Sequence, residues 1–414
     1  MLMVTRLKFP IEPLVIQMLD QLPADVWTSS TTTFLDPAMG GGQFLVEIQR
    51  RLRAAGHGDL NIAERMYGCE SNILRVNYSK NNKKLVTNKL FVRNSLDYDW
   101  GDMKFDVIVG NPPYNEDAGE ERLSAGNSNN STLYTEFVKF SLSRASYVAL
   151  VIPAGWTMKD IETKLLIEKG LQSVRFLGES VFGMVKIRSG VSVVTSVAGY
   201  SGPISITTRE GHTYQQSRTD PIRNVDKKVK TILTKLSPFA GLDLDIRSGD
   251  YAIPIGTKGS IERLLELDLT YNSLCTKKHS NHVLMYVGGQ NKLPSYAWSS
   301  MHQSSAIGVK ISWAKASDRY QLGKVRILEN GTGVSQALYY ASVKDAAHAA
   351  EWVQWLEHPI NKFVIQHMKT NDSVSTFKNC MNHLIDIKHC DRTDVYGFFD
   401  LSQEEIDLIE TTVK

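Results

Sequence analysis

The chain has 414 residues, 42% hydrophobic and 22% charged, with 47 Lys plus Arg against 44 Asp plus Glu and a formal net charge of +3. That composition is ordinary for a soluble globular protein long enough for two domains, and the charge allows a nucleic-acid partner without arguing for one. Four scattered cysteines, Cys69, Cys275, Cys380 and Cys390, exclude a disulfide framework. A reducing cytoplasm is expected. Met1–Pro10 has no apolar core of a signal sequence, and no stretch approaches the roughly 18 apolar residues of a membrane helix.

In chain order, Thr33–Leu35 is predicted as a short strand that runs into Asp36 and a glycine cluster, and Gln43–Leu52 follows with helical periodicity. Met66–Cys69 reads as a second strand ending at Glu70, and Ile73–Lys80 as a helix. Phe105–Val109 is a continuous apolar run, as in a strand buried on both faces. Tyr134–Leu142 is helical and Tyr147–Ile152 is strand again. The alternation predicts an α/β fold with a doubly wound parallel sheet, whose ligands bind beyond the carboxyl ends of the strands. Near Tyr200 the character changes: nine of the 10 histidines come later, and polar segments rich in Ser, Thr, Asn and Gln become common. A boundary near Gly199–Gly202 is expected, giving domains over residues 1–200 and 201–414.

Asp36-Pro37-Ala38-Met39-Gly40-Gly41-Gly42-Gln43-Phe44 stands between a strand and a helix. Successive glycines permit φ > 0 and leave no Cβ between backbone and ligand, so a ligand can lie on the turn near the helix N-terminus. The pattern is neither G-x-G-x-x-G nor a phosphate loop, since no Gly-Lys-Ser/Thr follows. Glu70, at the next strand end, can accept both hydroxyls of a ribose. The bland alternatives are a plain tight turn and a solvated acid.

Asn111-Pro112-Pro113-Tyr114 follows the buried strand. Prolines carry no N–H and leave carbonyls free to accept. The Asn111 side chain and the Pro112 carbonyl can together accept both hydrogens of one NH2 group. That bias toward a tetrahedral nitrogen localises the lone pair for attack on a sulfonium methyl. Tyr114 offers a flat face for stacking a base. A rigid loop at a strand end is the bland reading.

Asp36–Phe44, Glu70 and Asn111–Tyr114, in this order, resemble the N6-adenine DNA methyltransferases of the gamma arrangement, over roughly Phe9 to Tyr200. The resemblance implies a Rossmann-like methyltransferase domain using S-adenosyl-L-methionine, followed by a mixed α+β domain that recognises the DNA target. It implies base flipping in duplex DNA, as a stand-alone methylase or beside a separate restriction endonuclease. It assigns Asn111, Pro112, Pro113 and Tyr114 to catalysis. It assigns Pro10, Asp36, Ala38, Gly40, Gly42, Glu70, Ser95 or Asp97, and Asn111 to the cofactor, and Tyr114 and Phe182 to the two faces of the adenine. Phe9 stands where the family has Thr before Pro10, and Ser95 where it has an acid. Tyr134 and Phe137 resemble pocket-lining residues.

Other signals are weaker. Arg218, Arg223, Lys227, Lys228, Lys230 and Lys235 form a basic stretch at helical spacing, suited to phosphates or to a solvated face. Lys277-Lys278-His279 is a shorter one, and Gly288–Lys292 a turn that enters a groove or stays on the surface. Cys380, His383, His389 and Cys390 lack zinc-site spacing, so no metal is expected. Trp352 and Trp355 read as a helix's core stripe. The rivals are an RNA adenine N6-methyltransferase, a protein glutamine methyltransferase and a non-catalytic DNA-binding subunit. The size of the second domain disfavours the glutamine enzyme, and the intact motifs disfavour the subunit.

Overall fold

The computed structural model describes residues 12–114, 133–178, 190–250, 283–290, 293–299, 304–314, 324–335, 338–368, 381–391 and 393–413. The chain splits into two compact units, Met1–Asp226 and Lys227–Lys414.

The first unit opens with helices α1 (Glu12–Leu19) and α2 (Asp25–Thr28), then β1 (Phe34–Asp36), α3 (Gln43–Ala54), α4 (Asp59–Arg65), β2 (Met66–Glu70), α5 (Ile73–Lys83) and β3 (Leu90–Val92). It continues with β4 (Phe105–Gly110), α6 (Leu133–Arg144), β5 (Ala145–Pro153), α7 (Asp160–Glu168), β6 (Leu171–Leu177), β7 (Val191–Val197), β8 (Ile204–Thr207) and β9 (Thr213–Gln216). The strands form one nine-stranded sheet in the order β3-β2-β1-β4-β5-β7-β6-β8-β9. The first five are parallel neighbours, and β7 lies antiparallel between β5 and β6.

The pattern of burial explains the sheet. Phe34, Val107, Val109, Ala149 and Val151 point to one core with α1 and α3, whereas Leu35, Ile108, Val148 and Leu150 point to the opposite side. Side chains that alternate across a strand and are buried on both faces need cover on both faces, which is the doubly wound arrangement. In α3, Phe44, Leu45, Ile48 and Leu52 are buried while Arg50 and Arg51 hold Glu47.

Chain order reverses at β1: β2 and β3 lie to one side of it, β4 and β5 to the other. A crevice opens beyond the carboxyl ends at such a switch point, because successive connections there diverge to opposite faces. The two motifs end the adjacent strands β1 and β4, which pair through Leu35 and Ile108.

The expected boundary near Gly199–Gly202 is displaced. β8 pairs with β6 through Ser205–Ser173 and β9 pairs with β8, so the sheet extends to Gln216 and the division falls after Asp226. The polar composition beyond Tyr200 misled because this far edge alternates polar and buried residues, as in Thr213-Tyr214-Gln215-Gln216.

The second unit is mixed α+β. It contains α8 (Lys227–Leu236), a four-stranded sheet β10-β16-β13-β14 and a three-stranded sheet β12-β11-β15. Those strands are β10 (Ile246–Ser248), β11 (Val283–Gln290), β12 (Leu293–Ser299), β13 (Lys310–Ala314), β14 (Arg326–Leu328), β15 (Thr332–Val334) and β16 (Leu338–Ser342). Helices Ala346–Leu356, Pro359–Met368 and Gln403–Thr412 follow. Trp352 and Trp355 are buried, and the Trp355 indole donates to the Ile385 carbonyl at 2.7 Å. Gly288–Gln290 belong to a strand that pairs with Leu293–Ser295; Asn291 and Lys292 lie outside the described residues.

The basic stretch does not form one helix: α8 begins only at Lys227, and Arg218 and Arg223 precede it. Arg218 donates to the Leu171, Gly202 and Ile167 carbonyls, and Arg223 to those of Thr157 and Ile222. Lys228 pairs with Glu404, and Lys235 with Glu405 at 2.8 Å. Among the described residues no group of three His, Cys, Asp or Glu is placed to hold a metal, and Cys380 and Lys277–His279 lie outside them. No described helix is long and apolar enough to cross a membrane.

Candidate active site

β1 delivers Asp36 to the sheet's carboxyl edge with the residue only 1% exposed. Its Oδ1 accepts from the Ala38 amide at 3.1 Å, closing an Asx turn that starts the loop. Burial, with a further push from the neighbouring Glu70 charge, raises the Asp36 carboxyl to about 8 against a partial offset from the Ala38 amide. Gly40 and Gly42 adopt φ of 52° and 77°, the left-handed region that a side chain resists. The reversal turns the chain from β1 into α3, with the Gly42 amide on the Met39 carbonyl at 2.7 Å.

β2 brings Glu70 to the same loop. One carboxylate oxygen accepts from the Gly40 amide at 3.1 Å and the other from the Asn72 amide at 2.9 Å, while Arg75 approaches to 3.6 Å. Glu70 thus fixes the glycine turn as well as facing it. Asn72 also caps α5, accepting from the Leu74 amide. Immediately beyond, Ile73 and Leu74 are 49% and 69% exposed, an apolar edge beside the acid.

Ser95 and Asp97 take different places. Ser95 is buried, and its hydroxyl donates to the Pro37 carbonyl, tying the segment after β3 to the glycine loop. Asp97 is exposed and accepts from the Asn94 side chain at 2.8 Å.

β4 ends at Gly110, directly before Asn111. A Cβ at Gly110 would lie 2.9 Å from the Asp36 Oδ1 and 3.4 Å from Pro37. Only glycine lets the two motifs touch. Gly68 serves likewise in β2, where a Cβ would meet Met39 at 2.5 Å. Pro112 is buried and Pro113 exposed. Tyr114 packs against the hydrophobic cores of both sheet faces, and its hydroxyl donates to the Asn111 Oδ1 at 3.1 Å. Burial pushes the Tyr114 phenol well above its ordinary range, so it stays a donor.

The structure therefore gathers Asp36, Ala38, Gly40, Gly42, Glu70, Ser95 and Asn111–Tyr114 along the ends of adjoining strands, and leaves Asp97 outside. Pro10 and Phe182 lie outside the described residues. Tyr134 and Phe137 are buried on α6, and the Lys159 ammonium sits 5.5 Å above the Tyr134 ring. Sequence reasoning missed Gly68, Gly110, Asn72 and Arg75. For the glycines the signal was present: Gly68 interrupts its strand and Gly110 closes an apolar one, and a glycine in a strand marks close backbone approach.

Residues 44–182 match the Eco57I restriction-modification methylase family. Over 119 residues the chain is 29% identical to an uncharacterized adenine-specific methylase of Mycoplasma pneumoniae, covering 27% of this chain and 28% of that protein. The matched residues 44–182 include Glu70, Ser95 and Asn111–Tyr114, while the glycine turn ends just before them.

Among solved structures, a nuclease-deletion mutant of the Type ISP restriction-modification enzyme LlaGI, in complex with a DNA substrate mimic, is similar. Its TM-score is 0.50 at 10% identity, covering 81% of this chain and 42% of that one. The M protein of the type I restriction enzyme EcoKI gives a TM-score of 0.39 at 17% identity, covering 50% of this chain and 49% of that one. The chain spans less than a third of the curated relative and no more than half of either structure.

Proposed function

We propose that the protein methylates adenine N6 in duplex DNA, using S-adenosyl-L-methionine. The observation that carries this reading is the contact of two strand ends: the glycine turn after β1 and the Asn111–Tyr114 turn after β4, joined where Gly110 lies on Asp36. The cofactor, when bound, supplies a methyl group activated by a sulfonium. The glycine turn fits it, because positive φ at Gly40 and Gly42 leaves bare backbone beside two buried carboxyl groups. Asp36, Ala38, Gly40 and Gly42 line that side, Pro10 is assigned there by resemblance, and Glu70 is assigned the ribose hydroxyls. Ser95 is the better candidate of its pair, since Asp97 points its carboxylate at Asn94.

The chemistry of the chain's own groups follows. The Asn111 Oδ1 and the Pro112 carbonyl accept the two amine hydrogens. The Tyr114 hydroxyl already donates to the same Oδ1, so it orients the amide oxygen and competes with the amine for it. Pro113 holds the turn rigid. Tyr114 gives one stacking face and Phe182 is assigned the other. N6 in a paired duplex cannot reach the turn, so the adenine is flipped out. Extrusion costs a few kcal/mol, and stacking returns about 1–3 kcal/mol per base. The second unit is assigned target recognition, with a separate restriction endonuclease as an optional companion.

The test is transfer of labelled methyl to duplex DNA, structured RNA and a peptide side by side. Label in N6-methyladenine of the DNA is expected. Label confined to RNA or peptide overturns the DNA reading.

A further inference from the structure

Two carboxyl groups, Asp36 and Glu70, flank one glycine turn, 1% and 7% exposed. Their surroundings are unequal. Glu70 receives two backbone amides and faces Arg75 at 3.6 Å. Asp36 receives the Ala38 amide and enters no ion pair with a described residue. The titratable neighbours from β2 are Cys69 and Glu70, and neither is a cation. Arg75 on α5 is directed to Glu70. α3 offers no acid or base before Glu47, which Arg50 and Arg51 hold. β4 presents only the bare Gly110 backbone.

A buried acid with no cation beside it ionises at a cost, and a second carboxyl group nearby adds to it. Asp36 therefore keeps its proton, consistent with the upward shift of its carboxyl. A positive charge arriving in the crevice removes the reason for that proton.

We propose that Asp36 is the charge-matching residue of the cofactor site: binding the cationic methionine end of S-adenosylmethionine ejects the Asp36 proton. The Asp36 O–H bond breaks, the proton leaves to bulk buffer, and the carboxylate faces the incoming charge. Nothing is oxidised or reduced. The inference rests on the methyltransferase reading and deepens it. It makes Asp36 a determinant of cofactor charge as well as a turn former. It also gives a sign: where free Asp36 keeps its proton, binding tightens as pH rises.

The experiment is titration calorimetry of the full chain with S-adenosylmethionine at pH 7, in phosphate and in Tris. The difference in heat between the buffers reads the protons released. Close to one proton is expected, with affinity rising about tenfold per pH unit between pH 6 and 7.5, as linkage requires for one proton. Asp36→Asn should bind with no release and a flat pH dependence. Adenosine, which lacks the charged end, should release none. A second readout needs no variant: the infrared carbonyl band of a protonated carboxylic acid should be present in the free protein and lost on saturation.

Binding without proton release, equal release by Asp36→Asn, equal release with adenosine, or an unchanged infrared band would each overturn the proposal. Absence of any binding would instead overturn the methyltransferase reading, and the proposal with it.

Discussion

The ends of β1 and β4 lie side by side, yet they are built by opposite means. After β1 the chain is rich in donors and acids: the Ala38, Gly40 and Gly42 amides are each taken up by Asp36, Glu70 or the Met39 carbonyl. After β4 two prolines remove the donors, and what remains is acceptors: the Asn111 Oδ1 and the carbonyls. One end is suited to a ligand bearing positive charge and hydroxyls, the other to an NH2 group. The two ends thus differ in donor and acceptor balance and not in shape alone.

Substitutions at the two ends should therefore separate binding from chemistry. The largest effect is expected at Asn111→Ala. Removing the acceptor proposed for the reacting amine should lower the single-turnover rate by about 10²–10³, by analogy with deleting one preorganised polar group from a transition-state site. Cofactor affinity by calorimetry should hardly move, and an equal loss in both would merge the two ends.

Glu70→Ala should do the reverse. It should weaken cofactor binding by about 1.5–3 kcal/mol, the range for a hydrogen bond to a charged group. Unchanged affinity would place the ribose elsewhere.

Gly110→Ala probes the seam. A Cβ there would crowd Asp36, so unfolding in denaturant should show a loss of about 1–3 kcal/mol, as for an overpacked core. A neutral result would mean the strand ends can separate at no cost.

Tyr114→Phe is the mildest. It keeps the ring and removes the hydroxyl from Asn111, a loss of about 0.5–1.5 kcal/mol of stability. With 2-aminopurine as the target base, Phe should leave fluorescence near that of the native protein, while Tyr114→Ala should brighten it. Equal brightness for both would deny the stacking role.

Much of the first unit was legible because its strands are short apolar runs that end in Asp36, Glu70 and Asn111. The parallel rhythm to β5 followed from periodicity. The antiparallel β7 and the two edge strands did not. A strand's direction leaves no mark on Val191–Val197 itself, and β8 and β9 carry polar residues on their open side. At the site, motif spacing named the residues but not their partners. Nothing local says that Glu70 holds the Gly40 amide 30 residues away, or that Ser95, rather than Asp97, reaches the Pro37 carbonyl. Such partnerships arise from strand order.

The antiparallel β7 has one more consequence. Leu177 pairs with Val191 and Pro153 also pairs with Val191, so the chain leaves β6 and re-enters β7 at the edge where Asn111 stands. β7 is thus clamped at that edge by a ladder on each side, which secures the carboxyl rim of the sheet next to Asn111 against fraying.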